Sequence, residues 1–263
     1  MTKHKPTRPR CIRWLTLALL MIGCTRLVSG QTTDDTPINY VGWYIYEGKH
    51  PFVKDKPWAL FTAFELQRDD IIRHNLDVEA RAGLVYNLMS RYELMGGYVF
   101  KYNYPYDSAS LEYNWADHRI WEQVQWSYQL GEAKRYTLTP RIRVEQRWLE
   151  RKSGANLDQI SWDFQNTFRA QLRFDTVLNK TVTLRFFNEF FLRAPPPDVT
   201  RVLDANVFFA GFLFNLDSNR RWRLEAGYVN RSFWHSPETQ SGRKRINHTI
   251  RLVVFFDAPF RSH

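Results

Sequence analysis

The segment RYTLTPRIRVEQRWLE, residues 135–150, alternates between two kinds of side chain. From residue 141 onward every second residue is charged, and the residues between them are mostly apolar. The charged set is Arg141, Arg143, Glu145 and Arg147, and the other set is Ile142, Val144, Gln146 and Trp148. Because successive side chains of a β-strand point to opposite faces of the sheet, this period of two predicts a strand. One face of that strand is charged and the other is mostly apolar.

The same pattern recurs along most of the chain. Ten alternating runs lie between residues 58 and 256, and an earlier run covers residues 39–47. From residue 89 onward the connections alternate between short turns and long polar loops, so the two kinds fall at opposite ends of a meander. We therefore predict an all-β fold, an antiparallel up-and-down transmembrane β-barrel of 10–12 strands, with short periplasmic turns and longer external loops.

Residues 1–30 have a composition of their own. A basic leader precedes the apolar run WLTLALLMIG, residues 14–23, and small residues follow in LVSG, residues 27–30. This order predicts a secretory signal peptide that is cleaved after Gly30. The apolar run is too short to span a bilayer, and a lipoprotein signal that ends at Cys24 remains an alternative. The other cysteine, Cys11, also lies in the leader, so the mature chain offers no thiol chemistry.

The net charge of +10 is smaller once the leader is set aside. Six of the 37 basic side chains and none of the 27 acidic ones lie in residues 1–30, which leaves a net charge of +4. A mildly basic exported chain needs no nucleic-acid partner.

We predict four regions: the signal peptide at 1–30, an N-terminal segment with Trp43 in a strand or plug at 31–57, the barrel at 58–256 and a tail at 257–263.

Alternation alone does not say which face points inward. A soluble lipocalin-like barrel has an apolar interior with charges in water, and an outer-membrane barrel has the reverse. Arginine dominates the charged faces, and its forked side chain suits crowded ion-pair networks. Aromatic residues also cluster near strand ends, as in a membrane-interface girdle. We therefore predict an interior charge network of Glu79, Arg81, Arg119, Arg141, Arg143, Glu145, Arg147, Arg169, Arg173, Arg185, Glu189, Arg223, Glu225 and Arg251.

Four segments carry a family resemblance. They are WALFTAFELQRDD at 58–70, RAGLVYNLMSRYELMGGYVFKY at 81–102, RIRVEQRWLE at 141–150 and LRFFNEFF at 184–191. In this order they resemble the bacterial outer-membrane β-barrel family called domain of unknown function 2490, over about residues 40–256. The resemblance implies a barrel in the outer membrane and implies no activity. The segment NVFFAGFLFN, 206–215, departs from it because it carries no arginine.

Few residues suggest chemistry. Asp117 with His118, and His235 with Ser236, are the nearest approach to a catalytic arrangement, and neither has the partners that nucleophilic catalysis or a metal site requires. We therefore predict no enzyme activity, no cofactor and no metal. The charged interior remains open to two interpretations, a salt-bridged filling of a narrow barrel or the lining of a narrow anion-preferring pore. A soluble secreted lipocalin-like binding protein is a third hypothesis.

The expected partners follow from the predicted location. An outer-membrane barrel contacts membrane lipid and lipopolysaccharide, and the basic cluster GRKR, residues 242–245, could touch lipopolysaccharide phosphates or be a solvated loop. The final run HTIRLVVFF, 248–256, is similar to the terminal strand that the outer-membrane insertion machinery recognises. The tail DAPFRSH follows it, whereas such a strand normally ends the chain.

Overall fold

The described part of the chain consists of β-strands joined by turns and loops. The computed structural model describes residues 38–53, 56–89, 91–105, 113–153, 157–193, 203–234 and 245–258. Among them no helix is long and apolar enough to cross a bilayer. The strands are β1 (Ile38–Pro51), β2 (Trp58–Asp69), β3 (His74–Leu88), β4 (Tyr92–Asn103), β5 (Trp115–Trp126), β6 (Tyr128–Leu130), β7 (Tyr136–Ser153), β8 (Gln159–Val177), β9 (Val182–Arg193), β10 (Leu203–Asn215), β11 (Trp222–Phe233) and β12 (Arg245–Asp257).

The strands close into one barrel. Consecutive strands pair antiparallel, and the short β6 continues β5 along the edge of β7, so eleven strand positions surround the interior. The barrel closes where β1 pairs with β12 in parallel, from Ile38 opposite Ile246 to Lys49 opposite Asp257. The sequence-based prediction of an all-β up-and-down barrel of 10–12 strands is confirmed. The segment around Trp43 is a strand of the barrel wall.

The two ends of the barrel differ in their connections. At the short-turn end the chain passes through residues 52–57, 89–91, 131–135, 178–181 and 216–221. At the opposite end, here called the long-loop end, two connections are short, residues 70–73 and 154–158, and three of 9 to 11 residues separate β4 from β5, β9 from β10 and β11 from β12. Because the strand number is odd, β1 begins at the long-loop end whereas β12 finishes at the short-turn end. The predicted signal peptide, its cleavage site and the loops around 194–200 and 235–244 lie outside the described residues.

The turn between β10 and β11 shows how a short connection is fixed. The carboxylate of Asp217 accepts a hydrogen bond from the backbone N–H of Trp222 at 2.7 Å. This hydrogen bond favours the ionised form and lowers the pKa of Asp217. A polar residue at the start of the turn therefore holds the first residue of the next strand in place.

Two parts of the barrel repeat each other. Residues 82–99, AGLVYNLMSRYELMGGYV, correspond to residues 210–229, AGFLFNLDSNRRWRLEAGYV, with two extra residues in the turn. The first copy spans β3 and β4, and the second spans β10 and β11. In each copy two glycines face each other across the hairpin, Gly83 opposite Gly97 and Gly211 opposite Gly227. The barrel thus contains two similar hairpins at separate places in its wall.

The glycine pairs allow two strands to approach closely and leave room for aromatic rings inside. A Cβ atom on Gly97 would clash with the carbonyl oxygen of Ala82 and lie 2.6 Å from the Cα of Gly83. An indole carbon of Trp121 lies over Gly83, and the ring of Phe209 lies over the second glycine pair. Both aromatic side chains are fully buried. They belong to two apolar clusters that share the barrel interior with the charges.

Candidate functional site: the charged interior

The barrel wall has a charged inner face and an apolar outer face. In β7, Arg143, Glu145 and Arg147 are buried, and Glu145 is only 1% exposed. Ile142, the residue between two of these arginines, is 47% exposed. The prediction that the charged face points inward is therefore confirmed by the burial of these side chains and by the ion pairs that they form inside the barrel. The described residues do not show the opposite arrangement, with an apolar interior and the charges on the outer face.

Toward the long-loop end the interior charges gather around one carboxylate. Asp117 is completely buried, and one of its oxygens lies 2.5 Å from Arg119 and 2.6 Å from Arg147. Glu79 pairs with Arg81 at 2.5 Å and with Arg119 at 3.6 Å. Arg119 therefore joins the carboxylates of β3 and β5. A buried carboxylate of this kind is stable only because cations surround it.

We call the barrel interior the lumen. In its middle, two glutamates bind the surrounding arginines. Glu145 pairs with Arg169 at 2.8 Å and with Arg119 at 3.5 Å. Glu189 pairs with Arg169 at 2.9 Å and with Arg141 at 2.6 Å. Because Arg169 donates to both glutamates, it connects β7, β8 and β9 across the sheet. The result is a continuous network of forked hydrogen bonds.

A second group of ion pairs lies on β8, β9, β11 and β12. Arg185 donates to both oxygens of Asp175, at 2.8 and 2.9 Å, and to Glu225 at 2.7 Å. Glu225 also pairs with Arg251 of β12. Glu225 is 1% exposed, so both cations bind it away from solvent. These contacts tie the last two strands of the chain to the centre of the wall.

All fourteen residues that the sequence assigned to the interior face the lumen and take part in ion pairs. The structure brings further charged partners to them that sequence reasoning left out of the network: Glu65, Asp117, Asp175 and Asp257. β10 contributes Ala205, Val207 and Phe209 to the buried set, in agreement with the missing arginine in this strand.

Small cavities remain between the interior side chains. Three of them have volumes of about 100, 60 and 160 Å³. The first and the third share a wall that includes Arg141, Arg143 and Arg173. A cavity of this size holds a few water molecules or one small ion. Around these three cavities the barrel interior is lined by its own charged side chains.

The pairs considered for catalysis do not form a site. Asp117 points into the lumen and binds arginines, whereas its neighbour His118 lies on the outer face and is hydrogen-bonded to Tyr98. Adjacent residues of a strand point to opposite faces, which separates the two side chains. His235 and Ser236 lie outside the described residues. Within the described ranges no three His, Cys, Asp or Glu side chains are grouped as metal ligands.

The outer face carries the same tyrosine–histidine pair twice. Tyr98 of β4 bonds to His118 of β5, and Tyr228 of β11 bonds to His248 of β12 at 2.5 Å. Tyr40 stacks on His248 with 5.8 Å between the ring centroids. The two tyrosines occupy matching positions in the repeated hairpins, and each histidine lies 20 residues later, on the next strand. Sequence reasoning missed them, although the shared Gly-Tyr-Val followed by a histidine was a visible signal.

Comparison with known proteins gives a family and nothing beyond it. No curated protein and no solved structure matches the chain. The family described as protein of unknown function (DUF2490) matches residues 41–242. This match covers more than half of the chain and spans β1 to β11, and it includes the segments that carried the resemblance. The chain therefore belongs to the DUF2490 family of proteins of unknown function.

Proposed function

We propose that this protein is an integral outer-membrane β-barrel without enzyme activity, exported through a cleaved signal peptide. The observation that carries the proposal is the apolar outer face. Large apolar side chains around the wall are each more than 40% exposed, including Leu84, Ile120, Ile142, Phe164, Phe168, Phe212 and Ile250. Proteins that live in water rarely expose so continuous an apolar surface. A bilayer covers such a surface, while the paired charges remain inside.

The dimensions support the same proposal. Several strands have twelve residues. Twelve residues that rise about 3.3 Å each and tilt by about 45° reach roughly 28 Å along the barrel axis, close to the height of the apolar band of outer-membrane barrels. Closure through β1 and β12 also removes free strand edges, as a lipid environment requires. The partners that we expect for the protein under this proposal are membrane lipid, lipopolysaccharide and the outer-membrane insertion machinery.

A few polar side chains on the outer face depart from the apolar pattern. Glu122 of β5 is exposed between Ile120 and Val124. A carboxylate costs less in this environment than an arginine or a lysine, and its cost falls toward the interfaces. Asn188 and Asn206 also point to the outer side of their strands, where the amide of Asn206, a buried residue, donates a hydrogen bond of 2.8 Å to Asn188. The apolar band therefore tolerates a small number of polar groups.

Heat-modifiable gel mobility of the protein in an isolated outer-membrane fraction tests the proposal. We expect an unboiled sample to keep its barrel in detergent and to migrate at a different position from the boiled sample, because closed barrels resist detergent until heated. Recovery in the soluble fraction without any mobility shift would overturn the membrane location.

A narrow anion-preferring pore is the second candidate. The cavity of about 160 Å³ near the short-turn end is lined by six cationic and three carboxylate side chains. Charged side chains that line a pore set its ion selectivity. For a pore, we expect planar-bilayer conductance that prefers anions and loses part of this preference in Arg143→Ala. Arg151→Ala is the control, because Arg151 pairs with Asp163 near the long-loop rim. Absence of conductance would exclude the pore. The same anion selectivity in Arg143→Ala and in Arg151→Ala would also exclude it.

A further inference from the structure

Four arginines crowd together on two neighbouring strands of the lumen. Arg141 and Arg143 lie on β7, and Arg169 and Arg173 lie on β8. In the strand register Arg143 stands directly opposite Arg169, and Arg173 is diagonal to Arg141. Like charges at directly opposed positions of a sheet destabilise the pair. This part of the wall therefore needs negative charge from elsewhere.

Arg143 receives little of that charge from the protein. Its guanidinium donates to the neutral amide oxygen of Gln123 at 2.9 and 2.7 Å. Glu145, the carboxylate in ion-pair range, is 3.5 Å away and is already bound closely by Arg169. The guanidinium lies over the ring of Trp121, with 4.8 Å between its carbon and the ring centroid. Arg143 is thus a 3% exposed cation held mainly by neutral groups.

Arg173 is in a similar position. Its hydrogen bond goes to the hydroxyl of Thr139 at 3.4 Å, and Asp175 lies 3.4 Å away. Both oxygens of Asp175 accept hydrogen bonds from Arg185, so this carboxylate is shared. Among the described residues, Arg143 and Arg173 are the two arginines of this cluster whose nearest carboxylates are farther than 3 Å.

Both arginines line a cavity that has an excess of positive charge. The cavity of about 100 Å³ is lined by seven arginines and four glutamates, and Arg141, Arg143 and Arg173 also line the neighbouring cavity of about 160 Å³. Glu47 of β1 is one of the four glutamates. An anion bound near Arg143 and Arg173 would lower the mutual repulsion of the guanidinium groups.

We propose that the short-turn half of the lumen binds one small, doubly charged oxyanion of the phosphate or sulfate type, held by Arg143 and Arg173 with Arg141 beside them. The forked guanidinium group matches the paired oxygens of such an anion. A divalent anion also offsets most of the three-charge excess of the cavity lining. This site requires a closed barrel and does not require a bilayer, so it goes beyond the proposed function.

Titration of the folded, detergent-purified protein with inorganic phosphate tests the site by calorimetry at constant ionic strength, with chloride as the balancing anion. We expect saturable binding of one phosphate per chain and competition by sulfate. Arg143→Gln and Arg173→Gln should each weaken binding by about tenfold or more, because each removes a hydrogen bond to an ionised group. Glu47→Gln should strengthen binding, because it removes a negative charge from the same cavity.

Arg151→Gln is the matched control, since it removes one positive charge at the long-loop rim and should leave phosphate affinity unchanged. Absence of saturable binding, equal displacement by chloride, or unchanged affinity in Arg173→Gln would overturn the proposal. Arg173 is partly exposed and weakly bonded, so its variant carries the test even where Arg143→Gln does not fold. Gel mobility of the same samples reports membrane-type folding separately, which distinguishes failure of the anion site from failure of the membrane proposal.

Discussion

Replacing Glu145 with glutamine is expected to lower the free energy of unfolding by about 3–5 kcal/mol, the range for a buried ion pair that loses one partner. Glu145 is 1% exposed and pairs with Arg169 at 2.8 Å and with Arg119 and Arg143 at 3.5 Å. The glutamine keeps the shape of the side chain and removes its charge. Three guanidinium groups then remain in the lumen without their shared carboxylate.

Urea unfolding of the detergent-solubilised barrel, followed by tryptophan fluorescence, measures this change. Asp163→Asn is the matched control, because it also neutralises one carboxylate on an inward-facing position. Asp163 pairs with Arg151 near the rim, and its side chain is 52% exposed. Exposed pairs of this kind contribute at most about 1 kcal/mol. Equal effects of the two substitutions would show that the interior charges do not hold the barrel together.

Gly97→Ala is expected to destabilise the barrel by about 2–3 kcal/mol, in the range for an overpacked site. The added Cβ atom would clash with the Ala82 carbonyl oxygen and would lie 2.6 Å from the Cα of Gly83. Both are backbone atoms of β3, so β3 and β4 must move apart locally. Thermal or urea unfolding measures the loss.

The neighbouring Gly96 provides the control for this prediction. Gly96 faces outward, and a Cβ atom there would meet its nearest neighbour, the Trp121 carbonyl oxygen, at an ordinary 3.6 Å. Gly96→Ala should therefore change stability little. The repeat adds a second test, because a Cβ atom on Gly227 would lie 2.5 Å from the Ala210 carbonyl oxygen. A stable Gly97→Ala protein would contradict the close approach of the two strands.

The sequence predicted the architecture because the alternation is local and strong. In β7 the charged residues Arg143 and Glu145 alternate with Ile142 and Val144, so the two faces of the strand can be read from sequence. Which face points inward required a physical argument, namely that forked arginine side chains favour a crowded interior. The buried ion pairs of Glu145 and its neighbours confirm that argument.

Several partners in the network were missed because strand ends are hard to locate from polar residues. Asp257 and, in a separate ion pair with Glu93, Lys49 lie one and two residues beyond the strands that the alternation suggested, in positions that look like turns. The strands extend further, so these side chains also face the lumen. Asp117 was weighed as a partner of His118, but neighbouring residues of a strand point to opposite faces.

The closure of the barrel could not be predicted from any local pattern. Alternation predicts which side chains of β1 share a face, but it does not predict which strands pair with β1. Pairing with β12 in parallel follows from the odd number of strands, which depends on the whole chain. The repeat of β3 and β4 in β10 and β11 was visible as shared glycine and tyrosine positions. Some inner residues differ, however, such as Met95 in the first copy and Glu225 in the second, which obscures the similarity.

The most direct test of the central claim is whether lipid covers the outer face of the wall. Nitroxide labels on the single-cysteine variants Ile142→Cys and Ile250→Cys, reconstituted in bilayers, report accessibility to oxygen and to a water-soluble nickel complex. Ser218→Cys, in the turn between β10 and β11, is the control. We expect high oxygen and low nickel accessibility at the two wall positions and free access of nickel at residue 218. Equal nickel access at all three positions would contradict a membrane-embedded barrel.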